Sequence, residues 1–121
     1  MKNGKKNKLS ELFDMQKENQ QKMMDKHMYS IDVDLPVDNV NLASYHIQQL
    51  MSEIGEVLDA DKRWKNFRND EYNPYNKLEE LADCFIVLMN IVMFSGFNGE
   101  ELAEAVYNKI NVVSKRIDRE S

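Results

Sequence analysis

Cysteine, proline and glycine are all scarce in this chain, and each shortage excludes something. One cysteine, Cys84, among 121 residues cannot form an internal disulfide, and inside its apolar run it reads as a small buried hydrophobe. Two prolines and four glycines leave few helix breakers, and strand-like alternation is confined to residues 29–37. Positive charge is short as well. The net charge of −5 argues against a general nucleic-acid binder, because phosphate contact is driven by clustered Lys and Arg. The one basic cluster, Lys2 to Lys8, reads as a solvated, mobile tail over residues 1–8. No apolar stretch follows it, so no signal peptide is expected. The longest apolar run, Cys84 to Phe94, is interrupted by Asn90 and is too short to span a bilayer. A cytoplasmic chain without membrane or nucleic-acid partners is the expectation. There is no Walker loop, dinucleotide fingerprint or Ser-His-Asp arrangement, and His27 and His46 lack partners at zinc-ligand spacing.

What is present is helical periodicity. Hydrophobic residues at 42% and charged residues at 31% suit one globular domain, placed at residues 9–121. The first helix is expected from about Leu9 to Met28, with Ser10 as N-cap and Leu9, Leu12, Phe13, Met23 and Met24 as its stripe. An extended connector from Tyr29 to Asn39 contains Pro36. The second helix, from about Asn41 to Asp61, carries Leu42, Tyr45, Leu50, Ile54, Val57 and Leu58 at helical spacing. After a polar loop over 66–75, Asn76 with Glu79 and Asn98 with Glu101 read as two capping boxes. The third helix then runs to about Phe94, apolar on most of its surface and so expected at the centre of a bundle. The fourth carries one stripe, Leu102, Ala105, Val106, Ile110, Val113 and Ile117. The fold class is an all-α four-helix bundle.

Two of these helices carry acids where a core-facing helix should not. Glu53 and Glu56 lie three apart beside Ile54, Val57 and Leu58; Glu80 and Asp83 lie three apart beside Leu81 and Val87. A single such pair is common on a solvated face. Two pairs on the shoulders of apolar stripes, facing one interior, would repel one another and raise their own pKa values. Divalent cations resolve the conflict, and Mg²⁺ typically combines carboxylates with substrate phosphates. Glu53, Glu56, Glu80 and Asp83 are therefore the candidate metal ligands.

Glu53-Ile54-Gly55-Glu56, then 23 residues, then Glu80-Leu81-Ala82-Asp83 resembles the all-α nucleoside triphosphate pyrophosphohydrolases, which include MazG-type enzymes and the all-α dUTPases. The similarity extends over roughly residues 41–117. It implies a helical module assembling as a homodimer or homotetramer. It also implies Mg²⁺ (Mn²⁺ as substitute) on the four acids, and hydrolysis of a nucleoside triphosphate to the monophosphate and pyrophosphate. Glu53 or Glu56 would accept the water proton. Lys62, Trp64 and Lys65 match the family's basic, Trp-containing stretch after the second helix; Lys62 and Lys65 also suit a helix end, and Trp64 could stack on a base or pack in the core. Lys109 and Arg116 are candidate phosphate contacts, although the fourth helix matches the family only loosely.

In the first helix, Gln16 and Asn19 resemble the Gln and Asn with which all-α dUTPases contact the pyrimidine, and Gln20 continues the same stripe. Asn90, two turns beyond Asp83, is a further candidate for the nucleotide or for a neighbouring helix. The resemblance makes dUTP the expected substrate. The alternatives are a house-cleaning enzyme for another (d)NTP, and a non-catalytic helical interaction protein.

Overall fold

A computed structural model describes residues 8–27, 32–33, 37–65 and 71–120. Among them are four helices and no strand: α1 Lys8–Lys26, α2 Val40–Ala60, α3 Pro74–Phe94 and α4 Gly99–Glu120. A short 3-10 turn, Lys62–Trp64, follows α2. No helix among the described residues is long and apolar enough to cross a membrane.

Local chemistry sets the helix starts. Asn39 accepts from the Leu42 amide at 3.1 Å to open α2. Asn98 and Glu101 exchange bonds of 2.8 and 3.0 Å, so the box expected for α4 forms. The box expected at Asn76 and Glu79 does not. α3 starts one turn earlier, with Asn73 accepting from Tyr75 and Asn76 amides and Pro74 at the first position, where a missing N–H removes no bond. Ser10 is likewise not a cap, because α1 begins at Lys8 and buries Ser10 within its first turns. Residues 1–7, expected as a mobile tail, and most of the expected connector and polar loop lie outside the described residues.

α2 and α3 are antiparallel and form the longest contact of the fold, while α3 also meets α1 and α4. At one end Asp38 bridges Ser95 and the Asn39 N–H donates to Phe94 O at 2.7 Å. At the other, Lys77 reaches Asp61 at 3.4 Å. Met24, Val33, Ala43, Met93 and Phe94 make the core where α1, α2 and α3 converge. His46 stacks on Phe94 there, with ring centroids 5.3 Å apart. Phe13 packs beneath the start of α4, and a Cβ at Gly99 would fall 2.9 Å from its ring.

The bundle is thinner than the periodicity suggests. α3 is not covered on most of its surface: Leu78, Leu81, Phe85, Ile86 and Leu88 are exposed in the single chain. Cys84 is only half-buried. The α4 stripe is exposed at Val106, Ile110, Val113 and Ile117. Periodicity marks which face seeks apolar cover, and one chain does not supply it all.

Candidate metal centre

The acid pairs sit where α2 and α3 run side by side, halfway between the core and the Asp61 end. Spacing of three puts Glu53 and Glu56 on one face of α2, and Glu80 and Asp83 on the opposing face of α3. Carboxylate oxygens of Glu53, Glu80 and Asp83 all lie within 4.8 Å of one another. Glu56 comes within hydrogen-bonding reach of both Glu53 and Glu80, a contact that needs a proton between the oxygens. Glu53 Oε2 and Glu80 Oε2 are buried and have no hydrogen-bond partner among the described residues.

The electrostatics follow from that crowding. The Glu56 hydrogen bond pushes the Glu53 carboxyl above its ordinary pKa, with burial and the Glu56, Asp83 and Glu80 charges adding to it. Burial does the same for Glu80, helped by Glu56 and Asp83. Every influence on the two groups acts upward and none comes from a cation. The Cys84 thiol, next to Asp83, is also raised, first by burial and then by the four acids. Oxygen-only donors, orphaned buried lone pairs and uncompensated negative charge suit a hard divalent cation such as Mg²⁺.

The other sequence candidates fall elsewhere. Gln16 and Asn90 meet each other: Gln16 Nε2 donates to Asn90 Oδ1 at 2.8 Å, tying α1 to α3. Asn90 is 5% exposed and Gln16 half-buried, so the bond is partly buried. Asn19 is exposed. Lys62 and Lys65 are exposed on and just after the 3-10 turn. Trp64 is not core; it is 59% exposed, and its indole N–H donates to Leu58 O at 3.3 Å. Lys109 and Arg116 are exposed along α4, and neither enters the charge environment of Glu53 or Glu80.

A salt-bridge knot beside the centre was not foreseen. Asp61 holds Arg63 through Nε and Nη2 contacts of 2.7 Å each and also engages Lys77. The Arg63 fork keeps the Asp61 carboxyl well below the usual carboxylate range. The Arg63 guanidinium lies 3.8 Å from the Tyr72 ring centroid. The Asp-Lys-Arg run at a helix end is a local signal for the first pairing, but the Lys77 contact spans 16 residues and has no such signal. Lys77 stands one turn before Glu80 on α3, with its ammonium held on Asp61 at 3.4 Å.

A family model described as dUTPase matches residues 8–119. No curated protein and no solved structure gives a significant match. With two acid-bearing helices packed against each other in an all-helical chain, and a match covering nearly its whole length, the chain belongs to the all-α, MazG-type dUTPase family.

Proposed function

We propose that the chain is a Mg²⁺-dependent pyrophosphohydrolase that converts a (deoxy)nucleoside triphosphate, with dUTP favoured, to its monophosphate and pyrophosphate. The observation that carries this is the carboxylate centre with its two orphaned, buried oxygens. Glu53, Glu80 and Asp83 would hold the cation, with Glu56 beside them. A bound Mg²⁺ supplies charge neutralisation for the polyphosphate and lowers the pKa of the attacking water. Glu56 is exposed and stands outside the set of three, which suits it to accept the water proton. Lys62 and Lys65 past the end of α2, and Lys109 and Arg116 on α4, are the candidate phosphate-binding cations in this reading, and Lys77, one turn before Glu80, joins them.

The working unit is a homo-oligomer, at least a dimer. Ile47, Met51, Ile54 and Leu58 on α2 and Leu78, Leu81, Phe85 and Leu88 on α3 form paired apolar stripes next to the acids. A second copy seated on them would complete the bundle and wall the centre from water.

Product analysis tests the reaction: each canonical dNTP and NTP plus dUTP, with Mg²⁺ or EDTA, for the wild type, Glu53→Gln and Asp83→Asn. Pyrophosphate and a monophosphate are expected, lost in EDTA and in both variants. No product from folded, oligomeric protein sinks the proposal.

A further inference from the structure

Lys77 stands three residues before Glu80 on α3, a spacing that puts both side chains on one face of the helix. Glu80 belongs to the acid centre, and its Oε2 is buried without a hydrogen-bond partner among the described residues. An ammonium on a flexible four-carbon stem beside such a cluster should settle on it. It does not. Lys77 Nζ rests 3.4 Å from Asp61 Oδ2 instead, and no cation is among the influences on the Glu80 carboxyl. What needs explaining is a lysine held away from unsatisfied acids on its own face.

Asp61 supplies the hold. It caps the C-terminal end of α2, the unfavourable end of a helix dipole for an anion, so cations must offset it. Its side chain is 12% exposed. Oδ1 accepts from the Arg63 backbone N–H at 3.3 Å and from Arg63 Nε at 2.7 Å. Oδ2 accepts from Arg63 Nη2 at 2.7 Å and from Lys77 Nζ. Two carboxylate oxygens offer about four acceptor sites, and all of them are used. The Tyr72 ring backs both cations, with the Arg63 guanidinium 3.8 Å and the Lys77 ammonium 5.7 Å from its centroid. Arg63 alone would neutralise Asp61. Lys77 is therefore a second cation that charge balance at Asp61 does not require.

The consequence falls on the acid centre. An ammonium seated on Glu80 would fill the lone pairs that a divalent cation needs, and the cation would have to evict it before binding. Held at the end of α2, the same ammonium blocks nothing. This step rests on reading the carboxylates as a metal centre. We propose that Asp61 is a positioning residue for metal binding: by holding Lys77 at the end of α2, it keeps the ammonium off Glu80 and leaves the carboxylate oxygens to the divalent cation. A lysine withheld in this way also remains a candidate for phosphate.

Two measurements test this. In the first, nucleotide-free protein is titrated with Mn²⁺, and the free ion is counted by its EPR signal. Asp61→Asn keeps the shape of the side chain and should weaken binding by about tenfold, the scale of loss when a residue behind the ligands is removed. Lys77→Met should bind no more weakly than the wild type, and Asp61→Asn combined with Lys77→Met should recover wild-type affinity. Asp61→Asn combined with Arg63→Met should not. Wild-type affinity in Asp61→Asn, or recovery through Arg63→Met instead, overturns the proposal. So does a loss that persists once Lys77 is removed, which would make Asp61 only a strut between α2 and α3.

In the second, no metal is present and the Lys77 ammonium signal is followed by NMR. Adding Glu80→Gln should move that signal in the Asp61→Asn background and leave it in place in the wild-type background. No movement in the first background, or equal movement in both, overturns the proposal. A wild type that binds no Mn²⁺ would overturn the metal reading instead, while the ammonium signal still judges what Asp61 does to Lys77.

Discussion

Glu53 and Glu80 carry the sharpest residue-scale consequences. Their pKa values are raised in the metal-free protein, so they hold protons at pH values where a free glutamate has lost them. A divalent cation must displace those protons. The rise in melting temperature produced by Mg²⁺ should therefore be small near the ordinary glutamate range and grow as pH increases above it. A Mg²⁺ effect of constant size from pH 5 to pH 8 would contradict this. Glu53→Gln removes one of the repelling carboxylates, so in EDTA it should melt above the wild type, and Mg²⁺ should no longer stabilise it. Thermal scans with and without the cation read both outcomes. The acids were legible in the sequence because three-residue spacing and flanking apolar positions are local facts about a helix face. The Gln16–Asn90 bond was not, since its partners are 74 residues apart and each alone resembles a solvated amide. Trp64 is large enough to suggest core, yet it is exposed at the end of its 3-10 turn.

Among the elements, α3 and α4 show how much a cap decides. Asn73 and Asn76 both precede a helical pattern, and Pro74 settles the start in favour of Asn73, because proline fits the first helical position and disfavours helix before it. Asn73→Ala should cost about 1 kcal/mol in chemical denaturation, and Asn76→Ala much less; the reverse ranking would restore the later cap. Gly99 opens α4 directly over Phe13, whose Cβ, Cγ and Cδ2 are all within reach of an added methyl. Phe13 is 2% exposed, so its ring can give way only by disturbing its packing. Gly99→Ala should destabilise by about 1–3 kcal/mol through overpacking, measured by urea unfolding. Helix order and the α4 box were readable from periodicity and a three-residue motif. The contact at Gly99 was not, because it joins α1 to α4 across most of the chain.

At the scale of the whole molecule, the sequence indicated four helices but not how incompletely one copy closes over them. Stripes on α2 and α3 look the same whether they face a sibling helix or a second chain. Met51 is 69% exposed in the single chain, so Met51→Lys should leave the helical content intact. It should shift sedimentation from dimer or larger to monomer at micromolar concentration. A variant that sediments like the wild type would place the interface on another face.

α4 is held at one end only. Its first turn is fixed by the Asn98–Glu101 box and by Phe13 under Gly99, whereas every residue from 104 to 120 is exposed. Such a helix is a cantilever whose outer turns open at little cost unless a neighbour clamps them. Amide hydrogen exchange should then grade steeply from Leu102 outward, and within α4 trypsin should cut at Lys109, Lys115, Arg116 and Arg119. Both should slow as protein concentration rises, because association is the clamp. The chain's lifetime in a protease-containing cell would follow from its own abundance: dilute copies are trimmed, and crowded ones shelter each other.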